Sequence, residues 1–282
     1  MTSRPRYPSD LSDAQWALIE PELVAWRASR LAASVSGNAP LVHDLREIVN
    51  AILYLNRTGC AWAYLPHDFP PYKTVYDYFA KWRDDATIEC VHDLLREALR
   101  RSRGRNAEPT AVIIDSQSVK SSNAAPAESV GYDAAKKIKG RKRHIAVDTL
   151  GLLVALGLST ASLQDSPAGN RVLDHVAVVA PTVSLAWVDG GYNKSVVEHG
   201  ASLGIQGDVV RRNPGDKSFQ ILPHRWIVER TFGWLMLHRR LARDYETHWK
   251  TSRAMILMAM IGVISRALTG QATPTWRDPA TT

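Results

Sequence analysis

The stretch Val112-Ile113-Ile114-Asp115 decides the fold class, because it has the form of a buried strand that ends in a carboxylate. A second stretch, Ala186-Trp187-Val188-Asp189, has the same form later in the chain. Short apolar runs of this kind are typical of strands that are covered on both faces. If the two strands are parallel neighbours, both aspartates lie at the carboxyl edge of one sheet, where α/β proteins usually bind ligands.

The segments around these strands alternate between strand and helix patterns. Residues 143–149 and 152–159 flank a Leu-Gly turn and predict a hairpin. Further elements follow in order: helices over residues 165–180 and 193–203, a strand over 208–210, a long helix from Pro223 to about Arg243, and an apolar helix over 254–268. This order predicts an α/β domain over residues 107–269, with a mixed sheet flanked by helices. Residues 270–282 are predicted to be a disordered polar tail.

The first third of the chain is predicted to be helical. Ser12 and Gln15 have the spacing of a capping box. Apolar residues recur at helical spacing after it and in residues 44–52, 75–82 and 88–98. We therefore predict a small all-α domain over residues 1–106. Some bundles of this kind place a helix in the DNA major groove, although the lysines here are better explained as solvated charges.

Composition limits the class of protein and its partners. The chain has 282 residues, a formal net charge of +7 and a pI near 9.5. Positive charge attracts nucleic acid, but it also keeps a protein soluble. The net charge alone does not favour one explanation over the other. Cys60 and Cys90 fit no metal or redox spacing. Without a signal peptide or a long enough apolar run, we predict a cytoplasmic protein with no membrane partner.

Three carboxylates are candidates for catalysis: Asp115, Asp189 and Glu229. Glu229 lies in an apolar stretch of the predicted long helix, where an unpaired carboxylate is costly to bury. Converging carboxylates are suitable ligands for Mg²⁺, and two such ions about 4 Å apart can promote phosphoryl transfer. The sequence has no zinc-type His/Cys cluster and no phosphate-binding loop for nucleotides.

Each carboxylate also has an ordinary explanation. An aspartate at the end of a strand often caps a helix or shapes a turn. Glu229 follows Arg225 by four residues, which suits a simple ion pair on a helix surface. Asp148 precedes the Leu-Gly turn, and we predict a turn role for it. The residues alone leave these alternatives open for Asp115, Asp189 and Glu229.

Basic residues in the predicted α/β domain are candidate DNA contacts. The run around Gly140 is either a solvated loop or a flexible clamp for phosphates before a strand. Cations at the end of the long helix also suit the helix dipole. The candidates from this pattern are Lys136, Lys137, Lys139, Arg141, Lys142, Arg143, Arg211, Arg212, Arg239 and Arg240.

Four stretches are similar to the motifs of a known family: residues 7–16, 114–120, 188–192 and 225–235. Gly140-Arg141-Lys142-Arg143-His144, before a strand, fits as well. Together they resemble the DDE transposases of bacterial insertion sequences, in the group with a helical N-terminal domain and a ribonuclease-H-like core. The similarity extends to about residue 268.

This resemblance implies that Asp115, Asp189 and Glu229 hold two Mg²⁺ or Mn²⁺ ions. It implies cleavage of DNA at the element ends, followed by attack of each freed 3′-hydroxyl on target DNA. Arg225 would contact the DNA backbone near the scissile phosphate, and Lys120 and Arg230 of the same motifs join the candidate DNA contacts. The implied partner is double-stranded DNA, carrying terminal inverted repeats or a target site. A homodimer would act on it at the nucleoid.

The match departs from the family pattern at two positions. Relatives often carry Tyr where this chain has Leu222, and Lys or Arg where it has Met236. Arg239 or Arg240 is a candidate replacement for the missing basic residue. Two alternatives to a transposase are a ribonuclease-H-like nuclease that cuts without joining, and a DNA-binding regulator derived from an inactive transposase. The retention of all three acidic positions favours an active enzyme.

Overall fold

The computed structural model describes residues 4–33, 43–192, 194–210 and 224–274. The chain forms two compact units. The first comprises Met1–Leu99, Leu237–Leu241 and Ala254–Thr282, and the second comprises Arg100–Met236 and Ala242–Arg253.

The N-terminal part of the first unit is helical, as predicted. Its helices are α1 (Asp13–Ala32), α2 (Leu45–Thr58), α3 (Tyr72–Asp84) and α4 (Thr87–Ser102), whose last residues belong to the second unit. The capping box is confirmed, because Ser12 Oγ accepts from the Gln15 N–H at 3.3 Å and Gln15 Oε1 accepts from the Ser12 N–H at 2.8 Å. Helix α2 ends at Gly59, whose φ of +76° lies in the left-handed region that favours glycine.

The last helix, α9 (Trp249–Leu268), supplies most of its length to the core of the first unit. Met255 and Ile264 are fully buried, and the Asn56 side chain donates from Nδ2 to the Met255 carbonyl at 2.7 Å. We predict residues 254–268 as part of the α/β domain from their position in the chain. The sequence of an apolar helix does not indicate which unit the helix packs against. By length and composition α9 would also suit a membrane span, but 72% of its most apolar window is buried in the protein, as in a core helix.

The second unit is built on a mixed sheet. Its described strands are β1 (Ala111–Lys120), β2 (Gly131–Asp133), β3 (Ile138–Val147), β4 (Leu153–Thr160), β5 (Leu185–Asp189) and β6 (Gln206–Val210). They run in the order β2-β3-β1-β5-β6, and β4 also pairs with β3. Strand β1 is antiparallel to β3 and parallel to β5, and β5 is parallel to β6.

Helices flank this sheet. Helices α5 (Asp165–Val179) and α6 (Lys194–Ser202) pack over a core that contains Val112 and Ile114 of β1. Helix α7 (Arg225–Met236) packs against β1 and β3, with Val228 near Ile113. An antiparallel sheet extended by two parallel strands and flanked by helices is the predicted ribonuclease-H-like arrangement. The α/β fold class with an all-α N-terminal region is therefore confirmed.

Several predicted boundaries are wrong. Strand β1 continues to Lys120 rather than ending at Asp115. Strand β3 begins at Ile138 rather than at residue 143, because pairing with β1 extends to Gly140 opposite Lys120 and β2 pairs before it. The predicted helix up to Arg243 is interrupted, since α7 ends at Met236 and the short helix α8 (Arg239–Ala242) follows. Pairing partners that are distant in sequence set the limits of the strands.

The turn between β3 and β4 confirms the prediction for Asp148. Its Oδ1 accepts from the backbone N–H of Leu150 at 2.9 Å and of Leu152 at 2.8 Å. The other carboxylate oxygen pairs with Arg100 at the end of α4. Asp148 thus shapes the hairpin turn and neutralises a buried cation.

Candidate active site

Strands β1 and β5 bring Asp115 and Asp189 to the same edge of the sheet. The pairing is parallel, with Ile114 opposite Val188, and the next residue of each strand is an aspartate. Strand β5 ends there, whereas β1 continues to Lys120 after its pairing with β5 has ended. The predicted proximity of the two strands is confirmed.

The Asp115 carboxyl lies in a poorly solvated position. Burial raises its pKa to about 6, and the negative charge of Asp189 also raises it. The Ser116 N–H opposes this shift by donating to Oδ1 at 2.6 Å, and the positive charges of Arg225 and Lys136 oppose it as well. A poorly solvated carboxylate beside a second carboxylate is stabilised most by a cation.

The turn after β5 fixes the Asp189 carboxylate. The Gly191 N–H donates to Asp189 Oδ1 at 2.9 Å, and the Tyr192 N–H donates to the Asp189 carbonyl at 3.1 Å. A Cβ atom at Gly191 would lie 3.0 Å from that same Oδ1. A side chain at Gly191 would therefore press on the carboxylate, while Gly190 has open space around it, as expected beside a ligand.

Glu229 lies on α7, and its side chain is 58% exposed. Its Oε1 is 3.1 Å from Arg225 Nε, which is the ordinary i,i+4 ion pair considered as an alternative. Within the described ranges, no three His, Cys, Asp or Glu side chains are close enough to hold a metal ion. The structure thus brings Asp115 and Asp189 together and leaves Glu229 paired with Arg225.

A pocket at this sheet edge contains the two aspartates and Arg225. The rest of its described lining is apolar and consists of Ile113, Ile114, Trp187, Val188, Val210 and Val228. Charges interact more strongly beside apolar walls than in water, because the local dielectric constant is lower. The pocket therefore suits a ligand that combines a cation for the aspartates with an anion for the arginine.

A second group of polar side chains lies next to the Asp115 backbone. Ser116 Oγ donates to Asp165 Oδ1 at 2.8 Å, and Lys142 Nζ lies 3.1 Å from the same oxygen. Burial raises the pKa of the Tyr192 hydroxyl well above its usual value, with further contributions from Asp115, Asp165 and Asp189. The sequence prediction missed Asp165 and Tyr192. Tyr192 is the last residue of the stretch 188–192 that resembles the family motif. Asp165 is predicted only as the first residue of a helix.

Comparison with protein families shows the family of this chain. The model of transposases of the IS4/5 family, DUF4096, matches residues 11–92, and the transposase DDE domain matches residues 106–264, more than half of the chain. The chain belongs to the DDE transposases. A search of the curated proteins gives no match.

In this transposase the predicted basic loop is partly inside the protein. Arg141 and Arg143 are fully buried, and Lys142 is 5% exposed. Arg141 donates to the Glu246 carbonyl at 2.7 Å and stacks over the Trp249 ring. The expectation of an exposed phosphate clamp is wrong for these three residues, because strand pairing carries them into the core of the unit.

Four other predicted DNA contacts of the transposase, all lysines, are exposed. Lys136, Lys137 and Lys139 lie at the hairpin between β2 and β3, and Lys120 ends β1. Arg230 is partly buried, since it stacks on Trp226 and Trp234 at 4.8 and 4.9 Å and donates to the Leu150 carbonyl.

The candidate replacements for the missing basic residue belong to the first unit. Arg240 is buried there and donates to the Cys60 carbonyl at 2.9 Å, while Arg239 is exposed. Because Arg240 is buried, the structure contradicts its prediction as a DNA contact. Arg211, Arg212 and Leu222 lie outside the described residues.

Proposed function

We propose that this transposase binds the terminal inverted repeats of its insertion sequence, cleaves the DNA at both ends and joins each freed 3′-hydroxyl to target DNA. It acts on double-stranded DNA in the cytoplasm, at the nucleoid, as a homodimer, because two ends must be cut together. The observation that carries this proposal is the Asp115–Asp189 pair beside Arg225 at the carboxyl edge of the sheet.

The residues fit a divalent cation. Asp115 is poorly solvated and has a raised pKa next to a second carboxylate, which is the setting that a hard cation stabilises. We propose that Asp115, Asp189 and Glu229 hold two Mg²⁺ or Mn²⁺ ions. When bound, such ions supply Lewis acidity toward phosphate oxygens.

The ion pair between Arg225 and Glu229 has to open for Glu229 to join the aspartates. Exposed pairs of this type contribute only about 0.2–1 kcal/mol, so opening requires little free energy. A DNA phosphate competes well for Arg225, because the guanidinium group binds phosphate oxygens through two hydrogen bonds. We propose that the DNA backbone takes over Arg225 and so frees Glu229.

The exposed lysines Lys136, Lys137 and Lys139 supply further phosphate contacts. Each contact lowers the slope of log affinity against log salt concentration by about 0.9. Replacement of all three by Gln should therefore reduce the steepness of this dependence by up to about three. Lys194→Gln, which removes an exposed charge from α6, serves as the control.

Cleavage and strand transfer on labelled DNA with the element's terminal repeats test the proposal. Wild type should cut and join only with Mg²⁺ or Mn²⁺, and Glu229→Gln should abolish both reactions while DNA binding is retained. Glu198→Gln is the matched control, since Glu198 forms the same type of i,i+4 pair with Lys194 on α6.

Other outcomes identify the alternatives. Cutting without joining would indicate a nuclease, and tight binding without cutting by wild type would indicate a regulator. Cutting that survives Glu229→Gln would overturn the assignment of Glu229. Loss of activity in Glu198→Gln would show that any charge change disturbs the enzyme.

A further inference from the structure

The first unit contains a pocket that plays no part in the proposed chemistry. Its walls include Pro8 and Ser9 before α1, Arg57 of α2, His238, and Arg266 of α9. The empty space amounts to about 480 Å³, counted to its open mouth. The pocket is therefore open to solvent and to solutes.

Two guanidinium groups converge on this pocket. Arg266 donates to the Pro8 carbonyl at 2.8 Å, and Arg57 donates to the carbonyls of Leu237 and Pro274. Burial lowers the pKa of Arg266, and no carboxylate in the described part of the chain acts to raise it. Arg266 is thus a partly buried cation whose charge is not neutralised by a described acidic residue.

The imidazole of His238 lines the same pocket as these cations and makes no hydrogen bond to another described residue. It is 6% exposed, and neither ring nitrogen has a partner among the described residues. Ser9 Oγ is likewise buried without a partner there. Burial, together with Arg57 and Arg266, lowers the pKa of His238 to about 3, so the ring is neutral and offers one N–H. A buried polar atom without a protein partner commonly binds an ordered water or a ligand.

We propose that this pocket is an anion site that takes a phosphate group. The guanidinium groups, the imidazole N–H and the serine hydroxyl are donors, and phosphate offers several oxygen acceptors with negative charge. The phosphate comes either from the DNA backbone or from free phosphate in solution. Only the first source rests on the proposed DNA-binding function.

Thermal unfolding of the full chain in a titration with inorganic phosphate, at constant ionic strength with chloride, tests the site without DNA or metal. The Tm of the wild type should rise with phosphate concentration and then reach a plateau. Arg266→Gln and His238→Leu should weaken phosphate binding at least tenfold. Lys73→Gln, an exposed cation on α3, should respond like wild type. Without phosphate, His238→Leu should be at least as stable as wild type, because it removes a buried polar group without a partner.

The source of the phosphate follows from DNA binding at several salt concentrations. If Arg266→Gln makes the dependence of log affinity on log salt concentration less steep by about one, the pocket takes a backbone phosphate. If it abolishes the phosphate response and leaves the slope unchanged, the ligand is free phosphate. An equal phosphate response of wild type, Arg266→Gln and His238→Leu would overturn the anion site, whatever the result of the strand-transfer assay.

Discussion

Arg225 forms an ion pair with Glu229 across one turn of α7, with Nε 3.1 Å from Oε1. The same arginine lines the pocket of Asp115 and Asp189 and lowers the pKa of Asp115 by its charge. One cation is thus shared by residues that belong to the proposed catalytic triad. Glu229 is thus paired with a residue of the pocket, and within the described residues it does not form a three-carboxylate group with the two aspartates.

Removal of Arg225 should free Glu229 for metal binding. Arg225→Gln should bind Mn²⁺ more tightly than wild type in the absence of DNA, as measured by isothermal titration calorimetry. The gain should shrink when Glu229→Gln is added, because the freed carboxylate is then missing. Arg171→Gln removes an exposed cation from α5 and serves as the control. If Arg225→Gln increases Mn²⁺ affinity equally with and without the Glu229 carboxylate, the increase comes only from the loss of a positive charge.

Asp115 should reduce the stability of the metal-free protein at neutral pH. Its pKa is raised from 3.8 to about 6 in the folded state, so the native protein holds this proton more tightly than the unfolded chain does. The stability contribution is therefore fully present below the unfolded pKa and is lost as pH rises through about 6. Asp115→Asn should be more stable at neutral pH, by at most about 3 kcal/mol.

Urea unfolding with a chelator present, across the acidic to neutral range, measures this effect. The gain should disappear toward acidic pH, where wild-type Asp115 is protonated. Asp208→Asn, an exposed aspartate of β6, should show no such gain. A destabilised Asp115→Asn at neutral pH would contradict the raised pKa.

Lys142 should contribute to the stability of the fold, whereas its exposed neighbour Lys139 should not. Lys142→Met removes the cation that lies 3.1 Å from Asp165 and 3.9 Å from Asp133 inside the unit. Loss of one partner of a buried pair destabilises by about 3–5 kcal/mol. Lys139→Met should change the free energy of unfolding by no more than about 0.5 kcal/mol. Equal effects in a urea titration would contradict the burial difference.

Gly140 should tolerate no side chain, because β3 passes close to β1 there. A Cβ atom at this position would lie 1.9 Å from the Val119 carbonyl oxygen. Gly140→Ala should therefore lower the unfolding temperature and disturb the β1–β3 pairing. Gly233→Ala on α7, where nothing lies within 4 Å, should instead stabilise by about 0.5–1 kcal/mol through helix propensity. Similar Tm changes for both variants would refute this contrast.

Local patterns in the sequence determined the helical first third, the capping box at Ser12 and the two apolar strands that carry Asp115 and Asp189, although β1 continues beyond Asp115 to Lys120. These features depend on residues a few positions apart, through hydrogen bonds and periodic burial that the sequence displays directly. The turn role of Asp148 is of the same kind, since its acceptors serve N–H groups two and four residues later.

Only the tertiary structure decided which cations are exposed and what α9 packs against. Arg141, Lys142 and Arg143 look like a solvated run, but pairing of β3 with β1 and β4 buries them, and partners distant in sequence neutralise Arg141 and Lys142. The apolar helix α9 joins the first unit for an equally non-local reason, because the hydrophobic effect has no direction and any apolar surface can cover it.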